Sequence, residues 1–185
     1  PNYLELNDYT VNDFFDDFGP GNPNIAYNGQ TPYNGNSPQP NILINGTFIW
    51  DGYHSFQNCN IKFGSGARIL NNTGHIIRFE NCVLEAGCGV LWQGIELKVG
   101  SNIQIYGTTI KDSYYAIWQR KPSSMSLKDV TFDNNYIGVK YGHFGFNFPI
   151  ALPIISFIPG VYTRVNFFGN GILLPAYPGI VADPT

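Results

Sequence analysis

The chain has 185 residues and a mass of 20.6 kDa, enough for one domain with a real core. Only 12% of the residues are charged, the net charge is −3 and 43% are hydrophobic, which excludes a basic phosphate-binding surface, and with it a nucleic-acid partner, and also excludes a disordered chain. The chain is rich in glycine, asparagine and proline and short of the residues that build helical bundles, so it reads as an all-β, turn-rich protein.

Residues 1–40 form a segment of their own. Five acids (Glu5, Asp8, Asp13, Asp16, Asp17) precede a Pro/Asn/Gly tract from Gly19 to Pro40, punctuated by Asn-Gly at 28–29 and 34–35. Tyr9 to Phe18 suits a short amphipathic helix or a capping strand, and the tract after it a loop or extended wrap. Pro1, with no leader before it, is the start expected of a processed chain or an excised fragment.

From residue 41 to 185 an internal period emerges. FQNCNIK (56–62), FENCVLE (79–85), IYGTTIK (105–111), LKDVTFD (127–133) and YTRVNFF (162–168) align. One column of the alignment is Cys59, Cys82, Thr108, Val130, Val165, and another is Ile61, Leu84, Ile110, Phe132, Phe167. Ile77, Ile103 and Met125 form a third, and Phe56, Phe79, Ile105, Leu127 and Tyr162 a fourth. Alternate strand positions share a face, so these columns point inward. A further file runs Ile69, Ile95, Ile117, Val139, Ile172, preceded by Gly94, Ala116, Gly138 and Gly171, as at a tight corner. A period of about 22 residues with two or three short strands per repeat predicts a right-handed parallel β-helix of about five to six coils, each burying its apolar face on the next. The open ends of such a rod must be capped or continued. The acidic N-terminal segment suits one cap, whereas AYPGIVADPT offers none, so further coils are expected in a longer parent chain.

The outward residue after each rung is Lys62, Glu85, Lys111, Asp133 and then Phe168. The sign of the charge alternates from coil to coil, which favours in-register stacking. Trp92, Tyr114 and Tyr136 are each 22 apart and are expected to stack as one aromatic column, open to a ligand or buried under the insertion, with Trp118 on or near the same face. Flat rings on a rigid sheet suit sugar stacking, although aromatic ladders also serve sheet stability. Asn58, Asn81 and Asn134-Asn135 fall at turns, which points to amide stacking and left-handed backbone.

No catalytic, metal or cofactor site is expected. His54, His75 and His143 do not stack, and Cys59, Cys82 and Cys88 match no zinc spacing. Cys59 and Cys82 are expected to stack as a reduced pair. A polysaccharide lyase would have to draw on Glu85, Lys111, Asp133 and Arg120, a faint set.

The 35-residue spacing before the last repeat implies an apolar, proline-rich insertion at about 143–160. It is too short and broken for a membrane span, because Pro149, Pro153 and Pro159 interrupt it. It suits an arm folded over the rod, or a contact surface built on Ile154, Ile155 and Phe157. Replacing these three with Ser abolishes an association and spares the fold in the second case; in the first it costs soluble monomer.

Residues 82–142 resemble the right-handed β-helix repeats of large secreted surface proteins from Bacteroidetes-type bacteria. The matching runs are LWQGIELKVG (91–100), TIKDSYYAI (109–117) and TFDNNYIGV (131–139). The resemblance implies an extracellular or cell-surface protein, exported by the type IX route, in which the β-helix is a passive or adhesive module. The expected function is therefore a non-enzymatic structural or adhesive module of a larger chain, with a polysaccharide or another surface or secretion protein as partner. The alternatives are a glycan-binding module using the aromatic column and a lyase-like enzyme.

Overall fold

The computed structural model describes residues 3–18, 33–34, 41–98, 100–120, 123–141 and 160–169. The chain opens with β1 (Tyr3–Thr10), α1 (Val11–Phe18), β2 (Tyr33–Asn34) and β3 (Asn41–Ile49). Three-stranded coils follow: β4 (Phe56–Gln57), β5 (Asn60–Phe63) and β6 (Arg68–Asn71); β7 (Ile76–Glu80), β8 (Val83–Ala86) and β9 (Trp92–Leu97). They continue with β10 (Asn102–Tyr106), β11 (Thr109–Lys111) and β12 (Ser113–Gln119), then β13 (Ser124–Lys128), β14 (Thr131–Asp133) and β15 (Ile137–Tyr141). β16 (Gly160–Thr163) and β17 (Asn166–Phe168) begin one more.

These strands stack as a parallel β-solenoid of about four turns with a period near 23, slightly fewer turns than the five to six expected. At one end β3 alone serves two ladders, and at the other the described residues of the last coil are β16 and β17. Three ladders result. One runs β2-β4-β7-β10-β13-β16. The other two, β5-β8-β11-β14-β17 and β6-β9-β12-β15, are joined through β3, whose first half pairs with β5 and second half with β6.

The interior files follow the aligned columns. Ile61, Leu84, Ile110, Phe132 and Phe167 are successive register partners, extended backward by Ile42. Phe56, Phe79, Ile105, Leu127 and Tyr162 form a second such file. Phe48, Ile69, Ile95, Ile117 and Val139 form a third. Ile172 and Gly171 lie outside the described residues. The files meet in one core in which Ile61, Leu84, Ile110 and Phe132 are buried. Cys59 and Cys82 are buried free thiols within it, while Cys88 is exposed.

The corner between the first and second ladders is closed in every coil by one residue with positive φ: Asn58, Asn81, Gly107, Asp129 and Arg164. Asn81 accommodates this left-handed conformation and its side chain lies over Gly107, where a β-carbon would meet Asn81 Oδ1 at 2.3 Å. Asp112 and Asn134 repeat the device between the second and third ladders, with Asn134 Nδ2 donating to Asp112 Oδ1 at 2.8 Å. Asn135 joins the same coils by accepting from the Ser113 hydroxyl (2.6 Å) and donating to the Ile110 carbonyl (2.8 Å).

The third ladder departs from the expected alignment. Tyr115 pairs with Gly94 and Ile117 with Ile95, leaving Ala116 as an extra residue in β12. Ala116 therefore does not stack on Gly94. The bulge needs Gly94 at φ +108°, because a β-carbon there would sit 1.5 Å from the Tyr115 carbonyl oxygen.

The N-terminal end is closed by β1 and α1. β1 pairs along both halves of β3, taking up the outer edge of the first coil. α1 drives Val11, Phe14 and Phe15 into the core, with the Phe14 ring 6.2 Å from Phe48 and 5.3 Å from Phe56. The sequence suited this stretch to a helix or a capping strand, and the chain uses both in succession. At the last described rung Phe167 stacks on Phe132 at 5.0 Å yet stays 59% exposed.

Gly94→Ala is expected to cost at least about 3 kcal/mol in urea unfolding, because carbonyl and β-carbon cannot share the space. Gly100→Ala, at φ +74° but with nothing within 4 Å of its β-carbon, should cost only about 1 kcal/mol.

Candidate functional site

The outward residues of the second and third ladders carry the chemistry that the sequence offers. On the second ladder Glu85 lies between two lysines, 3.3 Å from Lys62 Nζ and 2.8 Å from Lys111 Nζ. The Lys62 ammonium also lies over the Tyr3 ring of β1, at 5.8 Å. The alternation of charge is thus realised as contact. Partial burial pushes the Glu85 carboxyl upward, but hydrogen bonds and charge from Lys111 and Lys62 outweigh it and hold the group below its ordinary 4.5. Lys111 is raised by its bond to Glu85.

Arg120 does not join this group. It lies on the third ladder, where its Nε is 2.7 Å from Glu96, and Arg68 reaches the same carboxylate at 3.2 Å. The faint lyase set of Glu85, Lys111, Asp133 and Arg120 is therefore divided between two faces. Glu96 is only 5% exposed and is paired on both sides, so neither face of its carboxylate is left buried without a cation.

The aromatic column divides as well. Tyr114 and Tyr136 stack as expected, with centroids 4.8 Å apart and planes 18° from parallel, and Tyr136 is 54% exposed. Trp92 is not with them. Its register partner is Ser113 rather than Tyr114, which turns its side chain inward. There it is fully buried, stacked on Phe63 at 3.9 Å, and donates its indole N–H to the Lys111 carbonyl at 2.9 Å.

Trp118 faces outward in a column that runs Leu70, Glu96, Trp118, Lys140. The Arg120 guanidinium lies 3.8 Å from its ring and the Lys140 ammonium 5.0 Å from it. Tyr115, brought over by the bulge, sits 5.1 Å from Trp118 and receives a hydrogen bond on its hydroxyl from Lys140 at 3.3 Å. Sequence reasoning named Trp118 but missed Tyr115, Glu96 and Lys140. The available signal was the position of Glu96 and Lys140, each 22 residues from Trp118 along the repeat. Ile154, Ile155 and Phe157 lie outside the described residues.

His54 is buried, as its inward position implied. Its ring stacks on Phe15 at 4.1 Å and Nε2 is 2.7 Å from Asn12 Oδ1, so it fastens α1 to the core. Burial pulls its pKa down against the nearby Asp51 and Asp16. Among the described residues no three His, Cys, Asp or Glu side chains gather as a metal-binding group, and no helix is long and apolar enough to cross a membrane.

The arrangement defines a parallel β-solenoid whose outer charges and rings are joined from coil to coil. No family model, curated protein or solved structure matches the chain.

Glu85→Gln is expected to lower stability at pH 7 by about 1 kcal/mol or less, as for a partly exposed ion pair. Because the folded carboxyl titrates below its unfolded value, that contribution is present above pH 4.5 and fades as acid protonates the folded group. Urea midpoints of the two proteins should therefore differ at pH 7 and converge as acid protonates the folded carboxyl below its ordinary range.

Proposed function

We propose that the chain is a non-enzymatic structural or adhesive β-helix module of a secreted bacterial cell-surface protein, and part of a larger chain. One observation carries the reading. The ionisable groups that an enzyme would use are engaged in joining coils: Glu85 bridges Lys62 and Lys111, and Glu96 bridges Arg68 and Arg120. A catalytic acid needs a carboxyl raised toward neutrality, whereas Glu85 is held the other way by its two ammonium neighbours. Rigidity and a long presenting surface are what such bonding supplies. The resemblance of 91–100, 109–117 and 131–139 to surface-protein repeats supports an extracellular setting and export by the type IX route.

Glycan binding is the second reading, favoured by the contact of Tyr115, Trp118 and Lys140 on one outer face. The column first expected to serve it is less suited. In the Tyr114–Tyr136 stack each ring covers one face of the other, which leaves fewer open faces for a sugar.

Incubation with alginate and with polygalacturonate should give no rise in unsaturated-product absorbance. A rise that is lost in Lys111→Ala would overturn the non-enzymatic reading.

A further inference from the structure

The third ladder carries a charge surplus that the sequence as a whole does not. On β6, β9, β12 and β15, with the residue following each strand, the ionisable cations are Arg68, Lys98, Arg120 and Lys140, against one carboxylate, Glu96. That is a surplus of three positive charges in a chain whose total is −3. The four cations come one from each of four successive coils but not from one file: Arg68 is in register with Gly94, Lys140 with Trp118, and Lys98 and Arg120 follow the partners Leu97 and Gln119. The side chains of Arg68, Arg120 and Lys140 nevertheless converge on Glu96 and Trp118.

Two of them are pre-set for anions. Glu96 holds each guanidinium through one contact, at 3.2 and 2.7 Å, while Arg68 and Arg120 stay 32% and 46% exposed. A guanidinium has five N–H donors, so each keeps donors for a second acid. Trp118 lies between Arg120 and Lys140 and supplies apolar ring surface beside the charges, whereas Tyr115, which packs against it, is buried.

We propose that this face binds a linear acidic polysaccharide of the polyuronate type, lying along the rod axis. Carboxylates of such a chain would meet Lys98, Lys140 and the exposed edges of Arg68 and Arg120, while a sugar C–H face packs on Trp118. The inference rests on the adhesive reading above and names the ligand class for it.

The test is affinity electrophoresis of the whole 185-residue chain through gels containing alginate, in low salt and without calcium. Alginate should retard the protein and uncharged dextran should not. Lys98→Gln should weaken retention by roughly twofold to fivefold with an unchanged melting temperature, the expected effect of one lost charge contact, and adding Lys140→Gln, which also gives up its contacts with Tyr115 and Trp118, should weaken it further. Lys128→Gln, an exposed cation on the first ladder, should bind as the parent does. No retardation, equal loss in Lys128→Gln, or single-stranded DNA held as tightly as alginate would overturn the proposal. Unsaturated-product absorbance is read in the same samples. Binding with cleavage would sink the non-enzymatic reading and keep the face; absence of both would remove the face alone.

Discussion

Every strand from β4 to β14 finds its hydrogen-bonding partners in the coils before and after it, because neighbouring strands in sequence lie on different faces. A backbone N–H or C=O left without such a partner in the core costs a few kcal/mol. The chain must therefore return to the same height on each face in every turn. That requirement sets the character of the interior, where Ile61 must tolerate Leu84 beside it and Leu84 must tolerate Ile110. It also sets the corners, where one residue in each coil turns the backbone within a single left-handed position.

The same constraint explains the exterior. Side chains in register are held about 5 Å apart, so like charges repel and opposite ones join. Lys62, Glu85 and Lys111 satisfy this on one face; on the next, Arg68 and Arg120 reach Glu96 diagonally, each from two positions along its strand. Where a ring occupies the outer column, its neighbour is a cation or a second ring, as at Trp118 with Lys140 and Tyr114 with Tyr136. The end of the stack needs a different solution. β1 and α1 provide it by pairing the exposed edge of β3 and covering Phe48 and Phe56 with Phe14.

The repeating files were legible because inward positions recur at a near-constant spacing and alternate with polar ones, a signal carried redundantly by several coils. The left-handed asparagines were legible for the same reason, Asn58 and Asn81 occupying one column. What escaped was whatever breaks the period. Counting 22 residues back from Tyr114 reaches Trp92, but the bulge at Ala116 alters the local register so that Ser113 is the true partner and the indole faces inward. The pairing of β1 with β3 was illegible as a register because the two strands are separated by a long irregular tract outside the repeat. Glu96 looked like any outer acid; only the fold shows that two arginines from the coils on either side converge on it.

The most direct measurement of the stacking is methyl–methyl nuclear Overhauser contacts in protein labelled at Ile and Leu methyls. Strong cross-peaks linking Ile42 to Ile61, Ile61 to Leu84 and Leu84 to Ile110 are predicted, as parallel rungs about 4.8 Å apart require. Absence of these peaks, with contacts instead between residues of antiparallel neighbours, would contradict the account.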